Sequence, residues 1–320
     1  MYFIIIAQII LIIRIKVISN LNFLIISSTR DTASSNIRDK LLISERYEFR
    51  QSEYDWHTNP LFILDKIHSN KTEIDLLENH NIYLGHTNQR LIFLNNLGNC
   101  KPKLEFDFLI FASRHKSKSA RPSFLVHVTG NWSGDVRYGG AKKELCHASA
   151  LLLKAGYLSF KNHRKTHITN HYSIDIESTH HGPTSLDVPL LFMELGSSPK
   201  EWSTTDAGLL VANSIINTIC EYLDFLKKEN QEIAVGFGGT HYSPQFQKLI
   251  EQNEIAISYI CPKYYIKYLD EDLINQMLTK NVEKIDYFII DWKGTNSNQK
   301  SYLMDLLEPF NIPIKKSKDF

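Results

Sequence analysis

From residue 206 onward, helix-length segments alternate with short apolar runs, and this alternation leaves few folds open. Helical patterns cover 206–228, 243–252, 270–279 and 298–307. Strand-like runs cover 233–237, 256–260 and 287–290. Such a succession argues for a mostly parallel sheet with helices on its faces. Upstream, the runs 23–27, 82–85, 90–94, 106–112, 123–128, 172–177 and 190–195 read as further strands, and 35–43 and 142–155 as helices. The expected fold is therefore α/β, a three-layer α/β/α arrangement with a mostly parallel mixed sheet and an elaborated second lobe. Residues 45–103 are richer in charge, Asn and short strands, as in a subdomain or an elaborated edge. No Pro/Gly/Ser-rich hinge is visible, so the lobes should pack closely within one unit spanning 23–320.

Residues 1–22 stand apart. MYFIIIAQIILII is almost wholly apolar, but Arg14 and Lys16 interrupt it too early for a spanning helix of about 20 residues. A secretory signal would carry its basic residues before the apolar run and a small-residue cleavage site after it. Translated upstream sequence or a dispensable extension is the expected reading, with the ordinary α/β text starting at Phe23. The balance of 36 basic against 35 acidic residues rules out a globally basic coat. Cys100, Cys146, Cys220 and Cys261 form no CxxC pair, so neither a disulfide framework nor a Cys-type zinc finger is expected.

The histidines point to where the chemistry lies. Nine of the 13 fall between His115 and His241, and none follows. In SFLVHVTGNWSGD (123–135), alternation puts His127 and Thr129 on one face of a strand. Thr129, Gly130 and Asn131 then leave its carboxyl end, where ligands of open α/β sheets bind. In IESTHHGPTSLDVPLLFMELG (176–196), His180 and His181 should point to opposite sides of extended chain, and Gly182-Pro183 should turn it. Glu194 lies in an apolar run where an unpaired carboxylate is costly. In IAVGFGGTHYSP (233–244), a Gly-rich loop between a strand and a helix start carries Thr240 and His241. Its backbone N–H groups suit an anion.

The histidines at 127, 147, 171, 180, 181 and 241, with Glu177, Glu194 and Asp135, supply N and O ligands suited to zinc. The candidate metal residues are His127, His180, His181, Glu194 and His241. Arg114, His115, Lys116, Lys118 and Arg121 form a basic loop ahead of the His127 strand.

VHVTGNW, HHGPT, FMELGS, Glu201-Trp202, GFGGTHYSP and Pro262-Lys263-Tyr264 stand in the order found in the archaeal and plant type of D-aminoacyl-tRNA deacylase, which this chain resembles from about Phe23 to at least Tyr264. The resemblance implies hydrolysis of the ester joining a D-amino acid to the 3′ end of tRNA. It also implies zinc dependence, a monomeric cytoplasmic enzyme without a membrane or a stable protein partner, and a phosphorylase/hydrolase-like fold. For that reaction His181 or His241 would be ligand or general base, and Gly238, Gly239 and Thr240 would face an oxyanion. Glu194 would orient an imidazole, and Asn131 and Thr184 would hold the amino group or ribose. Thr129 and Gly130 would help bind substrate, with Lys116, Lys118 and Arg121 on the acceptor end. Two rival classes stay open on residues alone: a nucleoside or peptide hydrolase or phosphorylase on a related fold, and a non-catalytic tRNA-binding protein.

Overall fold

The computed structural model describes residues 20–98, 100, 103–163, 169–228, 230–252 and 255–320. The extension expected to be dispensable falls mainly on residues 1–19, outside the described residues. Leu21 is already buried.

The strands are β1 (Asn22–Ser28), β2 (Tyr47–Trp56), β3 (Asn59–Ile67), β4 (Asn81–Thr87), β5 (Phe108–Arg114), β6 (Ser123–His127), β7 (Gly130–Asn131), β8 (Glu144–Leu145), β9 (Ser173–Ile176), β10 (Leu190–Gly196), β11 (Glu232–Phe237), β12 (Ile255–Cys261), β13 (Tyr287–Ile290) and β14 (Ile314–Lys316). The helices are α1 (Thr32–Leu42), α2 (Lys71–Leu77), α3 (Ala150–His163), α4 (Pro199–Trp202), α5 (Thr205–Leu226), α6 (Pro244–Gln252), α7 (Glu271–Thr279) and α8 (Ser297–Leu307).

A large eight-stranded sheet runs β2-β3-β4-β1-β5-β10-β6-β9. Its centre, β4-β1-β5-β10, is parallel, β6 is antiparallel to β10, and β2-β3 is an antiparallel edge hairpin. A second sheet, β12-β11-β13-β14, is parallel throughout. This is the α/β architecture expected, with the alternation after residue 206 forming the second sheet. The central strands β1, β5 and β10 are buried along nearly their whole length, as parallel strands covered on both faces must be. α3 packs on β6 and β10 of the large sheet and on β12 of the second, which joins the two sheets. α5 is long and apolar enough to cross a membrane, but 67% of its apolar stretch is buried in the core against α1, α3 and β10.

Two local expectations are corrected. Residues 90–94 form a 3₁₀ turn at Leu91–Phe93 rather than a strand. The helix expected over 142–155 begins at Ala150 and runs to His163. Its start is set from afar: Glu283 accepts the backbone N–H of Ala150 at 2.9 Å and of Leu151 at 3.3 Å. Ser149 Oγ accepts the N–H of Leu152 at 3.1 Å. With those orphan donors satisfied there, residues 142–149 are free to form β8 and its flanking loop. In 45–103 the chain makes the long hairpin β2-β3, whose charged, half-exposed residues suit a sheet edge.

Candidate active site

A cavity of about 520 Å³ is lined by residues that follow β1, β4 and β5 of the large sheet and β11 and β12 of the second. Carboxyl ends of parallel strands are where an open α/β sheet leaves room for a ligand. Segment 177–184 crosses this region and is tied to both sheets and their loops. Glu177 N donates to Val126 O at 3.0 Å, Ser178 N to His241 O at 2.7 Å, and Thr179 N to Ile260 O at 3.0 Å. Gly130 N donates to His181 O at 2.9 Å, and Trp132 Nε1 to Thr179 O at 2.7 Å. The sheet ends therefore fix where His180 and His181 stand.

The two adjacent histidines do not diverge as extended chain would require. His181 adopts φ 43°, in the left-handed region, and the chain turns there. The His180 and His181 rings lie 4.5 Å apart, and that of His127 is 4.3 Å from His180 and 4.8 Å from His181. Each donates Nδ1–H to a main-chain carbonyl: His127 to Val128 O at 3.1 Å, His180 to Ser178 O at 2.8 Å, His181 to Gly182 O at 2.6 Å. That leaves Nε2 of each ring as the atom that can face a metal. The three residues bring one ligating atom each within 4.8 Å of one another, and His127 Nε2 is buried without a hydrogen bond. An imidazole whose second nitrogen is held by a carbonyl is the usual form of a ligating histidine, so the donor set fits a zinc ion.

Two acids lie beside them. Glu177 and Glu194 are 1% and 3% exposed. Glu194 Oε2 is 3.4 Å from His115 Nδ1, and its Oε1 is 3.7 Å from His127 Nε2. Glu177 Oε2 is 3.5 Å from the same His115 atom, and its Oε1 is 2.9 Å from His241 Nε2. Burial alone would raise both carboxyls. Hydrogen bonding by His115 and His241 overrides it at Glu177, which is held well below the usual range. His115 and His127 do the same at Glu194, lowered to about 2. Burial would lower His115, but the two carboxylates lift it to about 11. His127 is likewise raised against its burial, mainly by Glu194. His180 and His181 move the other way. Burial, then the charge of neighbouring histidines, pushes His180 well down and His181 to about 4, so both are neutral lone-pair donors near pH 7.

His241 stands where the Gly-rich loop after β11 delivers it. Its Nδ1 is 3.2 Å from Ser178 Oγ and 3.3 Å from Tyr264 OH. Gly238 and Gly239 take φ 102° and 73°, which turns the chain toward α6. Gly238 N–H is already given to Cys261 O at 2.8 Å, and Thr240 is exposed. Gly239 and Thr240 do not line the cavity. Pro244 opens α6 as expected, but Ser243 Oγ donates to Thr240 O at 3.3 Å.

The cavity brings together His180, His181, Glu194, His241, Gly130, Asn131 and Lys116, with His127 buried behind the first two. Thr129 Oγ1 donates to Pro183 O, and Asn131 Nδ2 to Asp135 O at 2.9 Å. Thr184 is buried, with its hydroxyl donating to Glu144 at 2.5 Å and accepting from Ala141 N at 2.9 Å. Lys118 and Arg121 lie outside the lining, and Arg121 pairs with Asp175 at 2.6 Å. Sequence reasoning left His115 among loop cations and kept Glu177 outside the chosen site. It did not single out Arg30, Arg90 or Tyr138, which line the cavity.

A family profile described as D-aminoacyl-tRNA deacylase matches residues 102–315. A D-aminoacyl-tRNA deacylase of Methanococcus vannielii is 32% identical over 300 residues, covering 92% of this chain and all of its own length. That of Methanocaldococcus jannaschii is 37% identical over 209 residues, 63% of this chain and 79% of its own. That of Thermococcus kodakarensis is 32% identical over 285 residues, 88% and 95% respectively. Among solved structures, the crystal structure of a conserved protein of unknown function superposes with a TM-score of 0.75 at 27% identity, covering 94% of this chain and 96% of that one.

Proposed function

The chain belongs to the D-aminoacyl-tRNA deacylase family, enzymes that hydrolyse the ester between a D-amino acid and tRNA, and from that premise we propose that the histidine–carboxylate cluster on the cavity wall performs the hydrolysis. The observation that carries this reading is the convergence of His127, His180 and His181 beside the His241–Glu177 pair.

Ester hydrolysis requires a water to lose a proton as it attacks the carbonyl carbon, and the ribose oxygen to gain one as it leaves. Glu177 faces His241 Nε2, so it holds that nitrogen as N–H and leaves Nδ1 as the basic one. That Nδ1 lies 3.3 Å from Tyr264 OH, and both His241 and Tyr264 line the cavity. His241 takes the water proton there. The resulting imidazolium is stabilised by Glu177, the role a buried acid plays behind a catalytic histidine. His241 then returns the proton to the departing 3′ oxygen, which frees tRNA and D-amino acid. His127, His180 and His181 would hold Zn²⁺, with Glu194 beside His127. When bound, the ion supplies Lewis-acid chemistry at the ester carbonyl and its attacking water. Gly130 and Asn131, which line the cavity, hold the aminoacyl group close to His181. In this reading the enzyme works as a single chain in the cytoplasm, where charged tRNA is made.

The test is release of tyrosine from D-Tyr-tRNA and L-Tyr-tRNA, with and without a chelator. Release from the D-ester alone, lost on chelation and restored by zinc, is the result expected. Release that survives complete chelation sinks the metal assignment, and release from neither ester sinks the reading as a whole.

A further inference from the structure

The histidine cluster uses only part of the cavity. Arg30, Arg90, Arg114 and Lys116 also line it, all on the large-sheet side. They follow β1, precede the 3₁₀ turn after β4, and close or follow β5. Among the described residues, none of the four is ion-paired with a carboxylate. Neutral groups hold the guanidiniums instead. Arg30 Nε donates to Asn88 O at 3.0 Å, Arg90 sits 5.1 Å from the Phe93 ring centre, and Arg114 sits 5.2 Å from that of Trp202. The cavity's own acids are already engaged. Asp135 is bound by Arg137 at 2.6 Å, and Asp31 accepts the backbone N–H groups of Ser34 and Arg114. Glu194 faces His115 and His127. Four cations thus face one cavity in a chain whose net charge is +1. Asp31 lines the same side and interacts electrostatically with Arg114, but four cations against that one acid leave an excess of positive charge that attracts anions.

The other side of the cavity is aromatic. Tyr264 and Tyr265 follow β12, and Tyr138 comes from the loop between β7 and β8. Tyr138 is 62% and Tyr264 45% exposed. Cations facing exposed rings are the pairing that suits an unpaired polynucleotide, whose phosphates meet the charges while its bases stack. At about 520 Å³ the cavity takes a ligand of nucleotide size and excludes a duplex.

We propose that the large-sheet side of this cavity is a phosphate subsite for the single-stranded 3′ end of the tRNA, with Arg90, Arg114 and Lys116 on backbone phosphates, Arg30 at its edge and Tyr138 stacking on a base. The proposal rests on the reading that the cavity takes D-aminoacyl-tRNA. It keeps Lys116 from the acceptor-end residues expected from sequence, leaves out Lys118 and Arg121, and adds cations that line the cavity with the histidines.

The test follows kcat/KM for D-Tyr-tRNA against salt concentration in the zinc-loaded wild type and in Arg90→Ala, Arg114→Ala, Arg114→Lys and Tyr138→Ala. Each alanine variant of an arginine should raise KM about tenfold, the loss expected for one charge-assisted contact. Each should also flatten the log–log salt slope by about 0.7, the single-strand value per phosphate contact. Arg114→Lys should keep most of the slope, because charge rather than packing on Trp202 carries it. Tyr138→Ala should raise KM by roughly tenfold with the slope unchanged, as loss of one stacked base does. Arginine variants that keep the wild-type slope, or lose activity while the slope stays intact, overturn the subsite. A wild type that releases tyrosine from neither ester fails the family reading first, and that outcome is separate.

Discussion

His241 Nε2 stands 2.9 Å from Glu177 Oε1, joining a half-buried imidazole on the second sheet's Gly-rich loop to a carboxylate at the end of the large sheet's β9. The contact links the two sheets, and the backbone bond from Ser178 N to His241 O at 2.7 Å keeps it in register. Glu177→Gln keeps the shape and removes the charge that orients and stabilises His241. Single-turnover deacylation should slow by about a hundredfold or more, the low end for loss of acid–base catalysis. KM should change little, because Glu177 is buried and does not line the cavity. A variant with the wild-type single-turnover rate would leave His241 without its proposed role.

His181 tests the metal. Its ring is held by Gly182 O, and burial keeps it neutral, with a pKa of about 4. His181→Ala should lower zinc content at equal protein concentration, read by atomic emission after dialysis against micromolar zinc. Deacylation should fall at least tenfold. His181→Ala protein that retains full zinc and full activity would place the ion elsewhere.

The buried acids give the metal-free protein a two-sided pH profile. Glu194 is lowered to about 2 from 4.5. Its contribution to stability is complete above about pH 4.5 and is lost as pH falls toward 2. Its size is on the order of 3 kcal/mol, at about 1.4 kcal/mol per pKa unit. His115 is raised from 6.5 to about 11, so its contribution is complete below pH 6.5 and drains away as pH rises toward 11. The two share one ion pair and are not additive. In chelator, thermal unfolding should show a maximum between about pH 4.5 and 6.5 from these groups. In Glu194→Gln both limbs should flatten. A profile identical to wild type would mean that the cluster is not coupled as drawn.

Much of the site was legible because it follows strands. His127, Glu194 and His241 each sit at or near the carboxyl end of an apolar run, and position on a run is what periodicity reports. His115 was not legible. It stands between Arg114 and Lys116 and reads as part of a solvated basic loop. Only the pairing of Ser113 with Glu194 and Arg114 with Leu195 across β5 and β10 carries it to the buried acids. Arg30 and Arg90 were missed for the same reason, being single cations in separate loops that meet only when β4, β1 and β5 lie side by side. The His180–His181 pair failed differently. Alternation holds for extended chain, and His181 is not extended. The β2-β3 segment was legible only as a subdomain or an elaborated edge, without its strands, because an edge strand need not be apolar.

Gly182 is where that turn is most tightly constrained. A Cβ placed on it would lie 2.2 Å from Gly140 N and 2.7 Å from Ile92 O, both backbone atoms that no rotamer change can move aside. Glycine is needed here for close approach: the HHGPT turn packs directly on the loop before β8 and on the 3₁₀ turn after β4. Gly182→Ala must push one of these backbones away, and it is His181, whose Nδ1–H is held by Gly182 O, that moves with it. Overpacking of this kind costs roughly 1–3 kcal/mol. The variant should therefore melt several degrees lower, and its zinc affinity should fall by more than its stability loss accounts for. Displaced imidazoles weaken the metal site even in molecules that stay folded. Zinc titration of the folded variant at low temperature separates the two effects. Wild-type affinity in that titration would mean that the turn can shift without disturbing the histidines.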